Sequence, residues 1–167
     1  MKAVKFIIPL FILLFLGCKI FKKESKEVIH TGIVSLSELK EYKWFNIGYR
    51  KHHYSKKSIE DLKILNQCKI KIVGGNWCSD TRTHLPGFIK ILETIKFPME
   101  NLQVFFVDRA KECSGCKDYS KEKLDVKLVP TFIVYNGMGQ EIGRIIETPT
   151  KTLEEDLLLL FNGKSPD

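Results

Sequence analysis

No apolar run in this chain is long enough to cross a bilayer. The longest, Phe6–Leu16, falls short of the roughly 20 residues that a spanning helix needs. Internal repeats are missing, and no low-complexity stretch follows the lysine-rich start, which excludes solenoids and arrays. Basic and aromatic residues nowhere interleave along one helix or groove, so nothing points to nucleic acid as a partner. Cysteine is scarce and unevenly placed: Cys18, Cys68, Cys78, then Cys113 and Cys116. With only His52 and His53 as distant companions, the last two make a weak zinc pattern, and no other metal or cofactor motif is present. Position 81, three residues after Cys78, is Thr81, so Cys78 has no cysteine partner at that spacing.

What is present at the start has the layout of an export signal. Lys2 and Lys5 precede the apolar run, which ends in Leu14-Phe15-Leu16-Gly17-Cys18. That ending is similar to a bacterial lipobox, in which the cysteine is acylated and becomes the new N-terminus. The expectation is a signal peptide over residues 1–17 and a lipid on Cys18, placing the protein at a membrane of a bacterial cell envelope. An ordinary secretory signal ending near a cysteine is the other reading. Net charge falls from +7 to +5 when Lys2 and Lys5 are removed, because residues 1–17 contain no acid. Lys19, Lys22, Lys23 and Lys26 carry much of the excess, as suits a solvated tether (residues 18–30) near anionic headgroups.

Beyond the tether, Ser35 or Ser37 offers an N-cap for a short helix through about Phe45. Asn46–Tyr54 reads as a loop, and Ser58 as the cap of a helix carrying Ile59, Leu62, Ile64 and Leu65. A strand is expected at Lys69–Val73, with Cys68 buried at its start. A helix with apolar Leu85, Phe88, Ile89 and Leu92 follows, ending at Phe97-Pro98. Leu102–Val107 is apolar apart from Gln103, which suits an interior strand. The charged segment 108–127 is read as containing one helix, Asp118–Leu124. Thr131–Tyr135 and Glu141–Ile146 flank Asn136-Gly137-Met138-Gly139, a hairpin signal. Leu153–Phe161 closes the pattern as a helix, with Thr152 before it and Glu154, Glu155 and Asp156 in its first turn.

Cys78 stands where an apolar strand and Gly74-Gly75 give way to a helix. Unpaired backbone N–H groups and the positive end of the helix dipole favour a thiolate there. A helix terminus contributes about 0.3–1 kcal/mol at an exposed site, so activation is expected to be moderate. Trp77-Cys78, Pro86 eight residues on, and Val129-Pro130-Thr131 ahead of a strand together resemble the thioredoxin family. The resemblance implies an α/β thioredoxin-like fold, a central mixed β-sheet flanked by helices, in the order β-α-β-α-β-β-α. It covers about residues 66–162, with 31–65 as an N-terminal extension and 163–167 as a tail.

By the same resemblance Cys78 matches the attacking cysteine and Trp77 the tryptophan before it. Pro130 matches the cis-proline facing the thiol, and Val129 and Thr131 would border an extended substrate. Thr81 replaces the family's second cysteine, and its hydroxyl is a candidate donor to the Cys78 sulfur. Dithiol members carry a buried acid where this chain has Ile72, and the two departures agree. The Pro-x-x-x-Thr-x-x-Cys arrangement of peroxiredoxins is absent upstream of Cys78, which argues against a peroxidase. Cys113-Ser114-Gly115-Cys116 lies outside the core pattern. It follows a strand parallel to the one before Cys78, so both should sit at one sheet edge. A structural disulfide, a pair resolving Cys78, and metal ligation are its three readings. Two functions follow: thiol or disulfide chemistry outside the cytoplasm through Cys78, on protein or small-molecule partners with an unnamed reductant, or a peptide-binding module whose thiol is inert. His84, on the helix after Cys78, is expected at the surface rather than as a base.

Overall fold

Lys69, Ile70, Lys71 and Ile72 alternate between open and fully buried positions, and that alternation builds the centre of the molecule. The structure, a computed structural model, describes residues 28–164; the expected signal, Cys18 and most of the tether lie outside the described residues. The elements in order are β1 (Gly32–Ile33), α1 (Leu36–Glu41), α2 (Lys43–Lys51), α3 (Lys56–Asp61), β2 (Lys69–Gly74), α4 (Ser79–Thr94), β3 (Leu102–Phe106), β4 (Thr131–Tyr135), β5 (Glu141–Ile146) and α5 (Leu153–Phe161). One five-stranded sheet has the order β1-β3-β2-β4-β5; β2 and β3 are parallel and the other neighbours antiparallel. The thioredoxin-like α/β arrangement with a central mixed sheet is therefore present.

The two faces of the sheet are covered unequally. Ile70, Ile72, Val104, Phe106, Phe132 and Val134 point to the larger core, where α4 lies across them and Phe88 stacks on Phe132 at 4.5 Å. Val73, Phe105, Val107, Val126 and Val129 form a smaller cluster with Cys78 on the other side. Trp77, Cys113, Cys116 and Tyr119 pack against that cluster.

Several local expectations are corrected. The stretch read as a loop from Asn46 is helical to Lys51, because Gly48 is where α2 meets α4: a Cβ there would lie 2.8 Å from Pro86 Cγ. The break falls earlier, at Tyr42, which ends α1 and starts α2. Ser55, not Ser58, caps α3, accepting the Ser58 N–H at 3.0 Å. No helix forms over 118–124. The segment has only Tyr119 and Leu124 to offer an apolar face, and its backbone closes isolated turns instead: Leu124 N–H donates to Ser120 O at 3.0 Å, Asp125 N–H to Glu122 O at 3.3 Å and Val126 N–H to Lys121 O at 2.9 Å. Of the two candidates Ser35 caps α1, in a capping box with Glu38, and the hairpin and the last helix behind Thr152 form as expected.

Candidate functional site

The site is built where β2 and β3 end side by side. Gly74 pairs with Phe106, and Val107 N–H donates to Gly74 O at 2.9 Å. The chain then turns through Gly75-Asn76-Trp77 into α4, with Cys78 at the N-cap. Gly75 is required by close approach: a Cβ there would lie 2.6 Å from Trp77 Nε1. Freed to lie across that glycine, the indole donates to Val107 O at 2.8 Å. The Arg109 guanidinium sits over the same ring, 4.7 Å from its centroid. Trp77 thereby ties the Cys78 turn to the start of the segment that carries Cys113 and Cys116.

Cys78 is 9% exposed. Its thiol donates to Val129 O at 3.1 Å, so the sulfur faces the residue before Pro130 instead of capping the helix N–H groups. The Val129–Pro130 bond is cis. Thr131 opens β4 opposite Val73, and its hydroxyl donates to Leu128 O at 2.7 Å. Thr81 is fully buried in the first turn of α4, but its hydroxyl accepts the Gly75 N–H at 3.2 Å. Its methyl group fills the space beside Gly74, where a Cβ would lie 2.8 Å from Thr81 Cγ2. The hydroxyl-to-sulfur bond expected from sequence is not formed; Thr81 locks strand end to helix start.

Cys113 and Cys116 are joined to each other. They pack on the small core that holds Cys78, so the shared sheet edge expected from the parallel strands brings both cysteine sites together. Among the described residues no group of three His, Cys, Asp or Glu side chains is placed to hold a metal ion. Tyr119 packs tilted on Phe105, with ring centroids 5.4 Å apart, and donates to Lys111 O at 2.8 Å. Burial, with Glu112, Glu122 and Asp108 nearby, pushes its phenol up to about 12. Burial likewise pushes the Cys68 thiol up, away from thiolate.

Among the described residues no histidine is hydrogen-bonded to the Cys78 sulfur. His84 is half-buried, and burial lowers its basicity more than Asp80 raises it. His52 packs against Gly87, and its Nε2 lies 3.1 Å from Glu154 Oε1. Burial pushes the Glu154 carboxyl up, but hydrogen bonds from His52, its own backbone and Thr152 outweigh this and hold it below the usual range. Sequence reasoning missed Asn76 altogether. Its side chain is 2% exposed, donates to Val28 O at 2.7 Å and accepts His30 N–H at 3.1 Å. An asparagine one residue before the Trp-Cys pair was the available signal, though nothing in sequence shows what it would bind.

Comparison with known proteins adds the family. A sequence model described as thioredoxin matches residues 36–157, starting inside the stretch expected as an extension. Two solved structures share the fold. One is a protein of unknown function from Pseudomonas aeruginosa, 14% identical, with a TM-score of 0.54 over 77% of this chain and 87% of that one. The other is an HIV epitope scaffold, 15% identical, with a TM-score of 0.55 over 78% of this chain and 88% of that one. No curated protein matches. On the extent of the family match, which spans well over half its length, the chain belongs to the thioredoxin family.

Proposed function

We propose that this protein carries out thiol–disulfide exchange with Cys78 as the single attacking cysteine, at a bacterial membrane to which an acylated Cys18 tethers it. The observation that carries the reading is the Cys78 thiol held 3.1 Å from the carbonyl that precedes cis-Pro130, with a second cysteine pair in the same small core. After losing its proton to solvent, Cys78 attacks one sulfur of a substrate disulfide. A mixed disulfide forms and the other substrate sulfur leaves as thiolate. Thr81 cannot resolve it. Either an external thiol attacks the substrate sulfur and returns Cys78, or Cys113 and Cys116, once reduced, resolve the mixed disulfide. In the second route one thiolate of the pair attacks the Cys78 sulfur and the substrate thiolate leaves. The other thiolate then closes Cys113–Cys116 and releases Cys78. An external thiol must afterwards reduce the pair. Partners are protein or small thiols and disulfides; nucleic acid is not among them.

The test is turnover of a disulfide-bonded peptide with a small thiol as reductant. Cys78→Ser is expected to abolish turnover. Replacing both Cys113 and Cys116 by serine is expected to trap mixed disulfide on Cys78 if the pair resolves it, and to leave turnover unchanged if the external thiol does. Wild-type turnover by Cys78→Ser sinks the reading. That outcome would move the chemistry to Cys113 and Cys116, whereas no turnover by the wild type would favour a peptide-binding module with a structural disulfide, a reading that the burial of Cys78 and the closed Cys113–Cys116 bond support.

A further inference from the structure

The edge of the sheet that bears Cys78 also carries most of the molecule's open apolar side chains. Val73, Thr131 and Ile146 are in register there, as are Gly74, Phe106 and Gly32. Of the seven large apolar residues exposed among those described, Val28 (70%), Ile29, Leu128 and Ile146 sit on or beside this edge. Five strands at about 4.8 Å spacing make the edge roughly 20 Å long. Arg109, over Trp77, adds a cation to the same rim, and Glu112 beside it is occupied by Lys121.

The clamp by Asn76 indicates the partner. By holding Val28 O and His30 N–H, it makes the Cys78 turn the point at which the N-terminal chain joins the fold. From Cys18 to Val28 a fully extended chain spans no more than about 35 Å. That stretch carries Lys19, Lys22, Lys23 and Lys26. Open apolar side chains joined to a short basic tether have the chemistry of a bilayer interface with anionic headgroups.

We propose that the Cys78 edge rests on an anionic phospholipid bilayer, so that Cys78 acts at headgroup level on thiols and disulfides held at the same membrane. This rests on the lipid anchor proposed above. The opposite end of the sheet, where Met138 tops the β4–β5 hairpin, lies beyond the length of β4, about 17 Å further out.

The experiment uses the full acylated protein on phosphatidylcholine–phosphatidylglycerol vesicles, with and without bromine on the acyl chains. Leu128→Trp and Met138→Trp each add one reporter at an exposed position, and the wild-type signal is subtracted. Bromination is expected to quench the Leu128→Trp signal at least about twofold, as for a ring within the 5–10 Å that interfacial side chains reach, and to leave Met138→Trp unchanged. Vesicle-bound protein with both reporters equally quenched, or neither, overturns the surface and leaves the anchor standing. Neither quenched, with dimers forming at higher protein concentration, would assign the apolar rim to a second copy. Protein that lacks acyl groups and fails to float with vesicles overturns both.

Discussion

Asn76 and Gly75 act on the site without touching the sulfur. Asn76→Ala removes two hydrogen bonds to the backbone of residues 28–30, and the expected cost is about 1–2 kcal/mol. The loss should be local. Hydrogen exchange at His30 and Thr31 should rise to the rate of an open chain while β2 and β4 stay protected; unaltered exchange at His30 would show that the clamp is unimportant. Gly75→Ala is expected to cost more. The new methyl group displaces the Trp77 indole from Val107 O, leaving a carbonyl short of a partner, for about 1–3 kcal/mol together. Urea unfolding measures the cost, and a change in tryptophan emission reports the displaced ring. At Gly143 two penalties combine: φ is +157° and a Cβ would lie 2.4 Å from Leu160 Cδ2. An alanine there should loosen α5 from β5.

Among the elements, those that bury a strong apolar pattern were legible from sequence and those set by tertiary contact were not. The strands Thr131–Tyr135 and Glu141–Ile146, the helix after Cys78 and α5 follow directly from periodicity and caps. Helix α2 was missed because Gly48, two histidines and a run of cations suggest a loop, and only the packing of Gly48 on Pro86 shows otherwise. The segment 118–124 has charge and a few apolar residues that mimic a helix, whereas its backbone closes only isolated turns. Cys78, Trp77 and Pro130 were visible as a motif. Asn76 and the true partner of Thr81 depend on where the backbone goes, which spacing alone does not report. The contact between His52, after α2, and Glu154, in α5, is another of this kind, and it carries a pH signature. With its folded value below the ordinary 4.5, Glu154 adds stability that is complete above about pH 4.5 and is lost as pH falls through the lower folded value. Thermal melts taken from about pH 6 down to pH 3 should therefore show a steeper fall for wild type than for Glu154→Gln. At neutral pH, His52→Ala should cost about 1–3 kcal/mol by leaving that carboxylate buried without its partner.

For the molecule as a whole, the larger core under α4 should determine global stability, with the smaller one secondary. Cys113 and Cys116 close a ring of only four residues, so chain entropy limits the stabilisation to about 2 kcal/mol. Replacing both by serine should lower the urea midpoint modestly and leave the slope unchanged; loss of folding would mean that the small core depends on the crosslink. The sheet margins have a separate consequence, for self-association. An open strand edge is a template on which further chains can add, layer upon layer, towards fibrils. Here one margin, β1, is two residues long. The other, β5, is interrupted by a bulge opposite Val134 and Tyr135, and its Arg144 is engaged by Glu141 in a paired contact at 2.6 Å. Neither margin offers the flat, uncharged run of backbone that cross-β growth requires. If tethered at a membrane as proposed, the protein would gain from this, since crowding on a surface favours strand-by-strand growth.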